Sequence, residues 1–299
     1  MEILVAESAG FCMGVRRAIE MAREVSRDEN RLVYTHGPLI HNPQELERLH
    51  REGIIPLSPG DPVPRAPVIV RAHGIPPGER ARLRAQAETV GDATCPKVAR
   101  IQHTIAEYSA RGYAVVIAGD ADHPEVVGLL GHAVGPAFAV ASPEAVDRLP
   151  ALDRVLLVAQ TTQDVEVFAA VRRRVEERFP RVQAMATICR STDRRQSEVR
   201  RLARQVDAVV VIGGRNSANT CRLAEICRAM GTPTYHVETA AELPAAKLEG
   251  AGRVGVTAGA STPSWIIEEV VRALRRLQPP AAGNGPDANA RAGSDPFPA

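Results

Sequence analysis

The sequence predicts an α/β fold of three similar lobes, each with a small parallel sheet, arranged around a pseudo-threefold axis. Three observations predict it. Cys12, Cys95 and Cys189 stand at nearly even intervals, 83 and 94 residues apart. Each is followed by a helical pattern and then by a short apolar run with the character of a buried strand. A polar residue then returns in register: His41, His123 and Ser217 follow their cysteines by 29, 28 and 28 residues. Self-similarity at a fixed period is the mark of a repeated supersecondary unit. Strands that alternate with helices of 10 to 15 residues indicate parallel sheets built from βαβ units.

The elements are read in order. In the first lobe, expected over residues 1–92, Val15, Ile19, Ala22 and Val25 form the apolar stripe of a helix after Cys12. The run Leu32 to Tyr34 reads as a strand leading to His41, and a second run, Val68 to Ala72, ends at His73. In the second lobe, expected over 93–186, the stripe after Cys95 is Val98, Ile101, Ile105 and Tyr108. Its strands are Ala114 to Ala118, leading to His123, and Val155 to Ala159, ending at Thr161. In the third lobe, expected over 187–278, Val199, Leu202 and Val206 follow Cys189. Ala208 to Ile212 leads to Ser217, and Val254 to Ala258 ends at Ser261. Residues 279–299, rich in Pro, Gly, Ala, Asn and Asp without apolar periodicity, read as a disordered tail.

Composition narrows the function. The chain has 299 residues, 44% hydrophobic and 24% charged, which is ordinary for a globular protein. Its net charge of +2 comes from 37 basic and 35 acidic residues, nearly all the basic ones arginine, with no basic run of the kind a nucleic-acid binder carries. No apolar stretch approaches the ~18 residues of a membrane helix, and the start lacks the features of a secretory signal. The expected location is the cytoplasm. Five cysteines, an odd number, in a reducing compartment argue against a disulfide framework and for metal binding or catalysis.

In open parallel sheets, ligands bind beyond the carboxyl ends of the strands. By that rule the cysteine loops and the polar residues at the strand ends face one shared cavity. One thiolate per lobe suits an iron–sulfur cluster better than structural zinc, which takes four ligands and usually paired C-x-x-C spacing. A [4Fe-4S] cluster is normally held by four thiolates, so three would leave one iron open to substrate. A lone loop cysteine is as often an inert packing residue, and Cys221 and Cys227, outside the register, are read that way. His41, His73, His123, Thr161, Ser217, Asn219 and Ser261 offer donors suited to phosphate oxygens or to a carboxylate, with glycine turns at 213–214 and 259 admitting backbone amides. Glu125 would sit in the same cavity, where a polyanion raises its pKa and lets it donate a proton near neutrality. The competing reading is a helix N-terminal glutamate favoured by the dipole. The other histidines show no pattern.

Several motifs now stand together: Gly10-Phe11-Cys12-Met13-Gly14, Arg71-Ala72-His73-Gly74, Asp92-Ala93-Thr94-Cys95-Pro96, His123-Pro124-Glu125-Val126, Gln160-Thr161-Thr162, Thr187-Ile188-Cys189, Arg195-Gln196, Asn216-Ser217-Ala218-Asn219-Thr220 and Thr257-Ala258-Gly259-Ala260-Ser261. In this order, from residue 2 to about 278, the chain resembles the 4-hydroxy-3-methylbut-2-enyl diphosphate reductase (IspH/LytB) family. The resemblance implies the last step of the non-mevalonate (MEP/DXP) isoprenoid pathway, a two-electron removal of an allylic hydroxyl. It implies a [4Fe-4S] cluster on Cys12, Cys95 and Cys189. His41, His73, His123, Thr162, Ser217, Asn219 and Ser261 would hold the diphosphate with Thr161 and the backbone amide of Ala218, which stands where some members have a second serine. Glu125 would deliver protons with Thr161, and a ferredoxin or flavodoxin would supply electrons. Two other classes fit the repeat alone: a pseudo-threefold [4Fe-4S] Lewis-acid dehydratase or synthase of the quinolinate synthase type, and a non-catalytic iron–sulfur sensor.

Overall fold

The computed structural model describes residues 1–29 and 32–277; the expected tail lies outside the described residues. In chain order, β1 (Glu2–Val5) precedes α1 (Met13–Glu29), β2 (Val33–His36), α2 (Pro43–Arg51), β3 (Ile54–Leu57), β4 (Pro67–Val70), α3 (Pro77–Gln86) and β5 (Thr89–Asp92). There follow α4 (Pro96–Ala110), β6 (Ala114–Ala118), α5 (Pro124–Leu130), β7 (Ala137–Val140), α6 (Pro143–Val146), β8 (Arg154–Ala159), α7 (Val165–Arg178) and β9 (Arg181–Ala184). The last stretch holds α8 (Arg190–Ala203), β10 (Ala208–Ile212), α9 (Ala218–Ala229), β11 (Thr234–Val237), a single 3-10 turn, α10 (Ala245–Leu248), β12 (Arg253–Ala258) and α11 (Ser264–Arg276). Among the described residues, no helix is long and apolar enough to cross a membrane.

These strands make three parallel four-stranded sheets of one topology: β3-β2-β4-β5, β7-β6-β8-β9 and β11-β10-β12-β1. The inner strands are the apolar runs legible in the sequence. They carry continuous hydrophobic residues because helices cover both faces. Leu156 and Leu157 are fully buried on opposite sides of β8, one packing with Ile101 and Ile105 of α4, the other with Phe168 and Val171 of α7. Burying each such side chain contributes about 1.5–3 kcal/mol.

One expectation needs correction. The first lobe was expected to start at residue 1, but Glu2–Val5 pairs with β12 in the third sheet, Glu2 opposite Arg253 through Val5 opposite Val256. β1 thus does for the third sheet what β5 and β9 do for the other two. Each of these edge strands leads into a cysteine loop, and the helix after that cysteine packs into the next lobe: α1 with the first, α4 with the second, α8 with the third. The cysteine loops are therefore the crossings between lobes, and the chain closes on itself around the axis.

Candidate active site

Each cysteine stands at the start of a helix. Its carbonyl accepts the first helical hydrogen bond: Arg16 to Cys12 (3.0 Å), Ala99 to Cys95 (2.9 Å) and Asp193 to Cys189 (3.0 Å). The positive ends of three helix dipoles therefore converge on the cysteine loops. The Val15 amide donates to Cys12 Sγ at 3.5 Å, and the Ser191 hydroxyl lies 3.2 Å from Cys189 Sγ. Burial pushes the Cys95 thiol up, the amides of Lys97 and Val98 pull it back, and the charges of Cys12 and Cys189 add to the rise, so the three sulfurs feel one another. All three are free of disulfides.

A second threefold set of bonds ties these loops to the strand ends. The cysteine amides donate to Ala260 (3.1 Å from Cys12), Ala72 (2.9 Å from Cys95) and Thr161 (3.0 Å from Cys189). This register corrects the sequence alignment. Thr161 is the equivalent of Ala72 and Ala260, so the residue matching His73 and Ser261 is Thr162. Thr161 adds a hydroxyl where the other lobes have a methyl group.

Every expected site residue lines one cavity: Cys12, Cys95 and Cys189, His41, His73 and His123, Glu125, Thr161 and Thr162, and Ser217, Ala218, Asn219 and Ser261. The loops that carry them leave the inner strands at matching points, with His41, His123 and Ser217 each five residues past the ends of β2, β6 and β10. The three histidines stack loosely, ring centroids 4.8 Å (His41–His73), 5.4 Å (His73–His123) and 5.7 Å (His41–His123) apart. His123 caps α5 by accepting the Glu125 amide on Nδ1 at 3.1 Å, which leaves Nε2 as its donor. Ser261 joins the first and third lobes, its hydroxyl donating to the His41 carbonyl (3.2 Å) and lying 3.3 Å from the Ser217 hydroxyl.

The donors await a partner. His41 Nε2, His73 Nδ1 and Asn219 Nδ2 are buried and make no hydrogen bond, a costly state unless a ligand completes it. Burial, and then the Arg71 charge, pushes His41 down to about 4; burial, with His41 and Arg71, does the same to His123. His73 is pushed well below its ordinary value, burial again leading. Near pH 7 the three imidazoles are therefore neutral. Their ring nitrogens lie within 4.8 Å of one another and could ligate a metal ion, but the hydroxyl and amide donors beside them favour an anion.

Glu125 is buried, 2% exposed. The Thr161 amide donates to Oε1 at 2.6 Å and the Thr161 hydroxyl to Oε2 at 2.7 Å. Burial raises its pKa, and the two bonds from Thr161 offset this only in part. A carboxyl group whose pKa is raised by burial, bonded to a hydroxyl on a cavity wall, has the chemistry that general acid catalysis requires.

The sequence reading missed Lys97, which lines the cavity; its place two residues after Cys95 was the available signal. It also assigned no role to Arg71 and Arg195, whose place behind the cavity only the fold reveals.

A three-lobed α/β enzyme whose polar and titratable groups converge on one central cavity is the class that fold and site define. The match to known proteins narrows it further. A model of the LytB protein family matches residues 3–275, and the chain belongs to that family. The 4-hydroxy-3-methylbut-2-enyl diphosphate reductase of Geobacter sulfurreducens is 46% identical over 278 residues, 93% of this chain and 98% of its own length. A solved structure of (E)-4-hydroxy-3-methyl-but-2-enyl diphosphate reductase, described as the terminal enzyme of the non-mevalonate pathway, is 41% identical with a TM-score of 0.66, covering 92% of this chain and 100% of its own. That of the E-1-hydroxy-2-methyl-but-2-enyl-4-diphosphate reductase from Plasmodium falciparum is 26% identical with a TM-score of 0.86, covering 94% of this chain and 89% of its own.

Proposed function

We propose that this chain removes the allylic hydroxyl of (E)-4-hydroxy-3-methylbut-2-enyl diphosphate reductively, giving isopentenyl and dimethylallyl diphosphates in the last step of the non-mevalonate pathway. The reaction consumes two electrons and two protons and releases water. Relatives of high identity along nearly the whole chain support the reaction, and they do not favour a dehydratase of the quinolinate synthase type. The observation that carries the mechanism is the Glu125–Thr161 pair, set in the same cavity as three convergent cysteines and a cluster of unpaired donors.

Cys12, Cys95 and Cys189 would hold a [4Fe-4S] cluster. Their fit rests on three thiols at helix starts and on a cradle at Gly14, where a Cβ would come 2.9 Å from Cys95 Sγ and 3.9 Å from Cys12 Sγ. When bound, the cluster supplies the electrons and a Lewis-acidic iron. The protein's own residues do the rest. His41, His73, His123, Ser217, Asn219 and Ser261, with Thr162 and the Ala218 amide, bind the diphosphate and orient the allylic end toward the cysteines. Glu125 holds the proton that leaves with the hydroxyl as water, passing it through Thr161 Oγ1 or directly. A ferredoxin or flavodoxin donor, a cytoplasmic location and the division of the chain into lobes near residues 92 and 186 belong to the same proposal.

The test is anaerobic purification, iron and sulfide analysis, and assay of both products with a chemical reductant. About four irons per chain with product formation from the allylic diphosphate supports the reading; a cluster indifferent to that diphosphate but responsive to a dicarboxylate overturns it.

Two predictions concern the anion site. His123→Asn keeps a capping acceptor for α5 but removes the free Nε2 donor. Loss of one hydrogen bond to a charged group is worth about 1.5–3 kcal/mol, so pyrophosphate should bind at least about tenfold more weakly with an unchanged melting temperature. Binding by calorimetry checks it; equal affinity removes His123 from the site. The second concerns protons. A polyanion raises the pKa of imidazoles that burial holds near 4, His41 and His123. Binding therefore takes up protons, and affinity falls as pH rises toward the bound-state pKa values. Calorimetry in buffers of different ionisation enthalpy measures the uptake; none across pH 6 to 8 would mean that the histidines stay neutral around the ligand.

A further inference from the structure

Arg195 is the only arginine or lysine among the described residues that is fully buried, at 4% exposure. It lies on α8, six residues after Cys189. Its Nη2 donates to the Gly10 carbonyl at 2.6 Å, two residues before Cys12, and its Nη1 to the Ser191 carbonyl at 3.0 Å, two residues after Cys189. The Nε is buried with no hydrogen-bond partner. Among the described residues no carboxylate forms an ion pair with it; those that do pair engage other arginines, as Arg194 with Glu7 and Arg200 with Asp164.

A buried guanidinium without a counter-charge is unfavourable, because its desolvation is not offset. Burial accordingly lowers its pKa, and the largest opposing influences are Cys12 and then Cys189, ahead of Glu198. Its two carbonyl partners stand two residues from Cys189 and from Cys12, so the cation is folded against the two cysteine loops. Two carbonyl bonds explain a tie between two loops. They do not explain the unpartnered Nε, nor why so costly a group is used where a neutral side chain could bridge the same carbonyls.

We propose that Arg195 sets the reduction potential of the cluster. This rests on the reading that Cys12, Cys95 and Cys189 hold a [4Fe-4S] centre. A cluster on three thiolates carries net negative charge and gains one more on reduction. A fixed cation behind two of the thiolates stabilises the reduced state more than the oxidised one, which raises the potential. Arg195 is a positioning and tuning residue rather than a catalytic one, since it is not among the residues that line the cavity.

The test compares wild type, Arg195→Lys and Arg195→Gln, each purified anaerobically, with iron counted per chain and the cluster titrated against dithionite and mediator dyes under EPR. Arg195→Gln, which retains donors but no charge, should shift the midpoint to more negative potential at unchanged iron content, while Arg195→Lys stays near wild type. Equal midpoints in all three overturn the role and leave Arg195 as a loop tie. A wild-type chain that reconstitutes no cluster overturns the cysteine reading itself, a distinguishable failure. Should Arg195→Gln lose its cluster, the wild-type chain grown on [15N]arginine still decides: pulsed EPR of the reduced cluster should show a nitrogen coupling that the unlabelled protein and Arg195→Lys lack, and its absence overturns the proposal.

Discussion

Replacing Glu125 with Gln should lower turnover by about 10² or more, the usual loss for a general acid, while iron content and affinity for the allylic diphosphate stay close to wild type. The structure explains why this substitution is clean. Glu125 accepts the Thr161 amide on one oxygen and meets the Thr161 hydroxyl with the other. A Gln side chain presents a carbonyl to the amide and an NH₂ group to the hydroxyl oxygen, so both contacts survive with the Thr161 hydroxyl turned to accept. Only the transferable proton is lost. The pH profile supplies an independent check. Burial holds the Glu125 pKa above its ordinary value, so wild-type turnover should decline as pH rises through that raised value and the acid loses its proton. In Glu125→Gln this limb should vanish. Steady-state kinetics from pH 5.5 to 9 would measure both effects, and undiminished turnover in the variant would remove Glu125 from the chemistry.

How much of this was legible in the sequence follows from what the repeat encodes. The inner strands were visible because they are buried on both faces: Ala114–Ala118 and Ala208–Ile212 run to the residue as read. The outer strands were not. β5 and β9 have half-exposed, mixed sequences, Thr89–Asp92 and Arg181–Ala184, and their strand state comes from the neighbour they pair with rather than from any apolar run. β1 was invisible for a further reason. Its partner β12 lies some 250 residues away, and no local pattern carries that information. The site was legible because chemistry-bearing residues recur at one register, and all of them share the cavity. The slip at Thr161 shows where register reading fails. Two adjacent threonines both fit the pattern by type, and only the cysteine amide bonds tell which is the positional match. The substitution of polar for apolar at that one position is what the second lobe adds to the shared plan, and it is the hydroxyl that touches Glu125.

Gly14→Ala should separate the stability of the fold from retention of the cluster, in opposite directions. Gly14 is the second residue of α1, and it has no positive φ that would demand glycine. Its small size serves space instead. A Cβ there would lie 2.9 Å from Cys95 Sγ and 3.3 Å from Cys95 Cβ. In the metal-free chain the Cys95 thiol can rotate away, and alanine is the better helix former by up to about 1 kcal/mol, so thermal stability should hold or rise. With a cluster bound on the proposed cysteines, the sulfur would be fixed by its iron. The overlap then has no exit and carries the cost of overpacking, about 1–3 kcal/mol, which corresponds to about 5- to 150-fold weaker retention. Chelator titration of the reconstituted protein, followed by loss of cluster absorbance, should reach its midpoint at correspondingly lower chelator concentration for the variant, while melting of the metal-free forms shows no penalty. Equal chelator midpoints would mean that Gly14 is spare room and not the cradle of the cysteine site; a destabilised metal-free chain would mean that the glycine serves the packing of α1 against the first lobe instead.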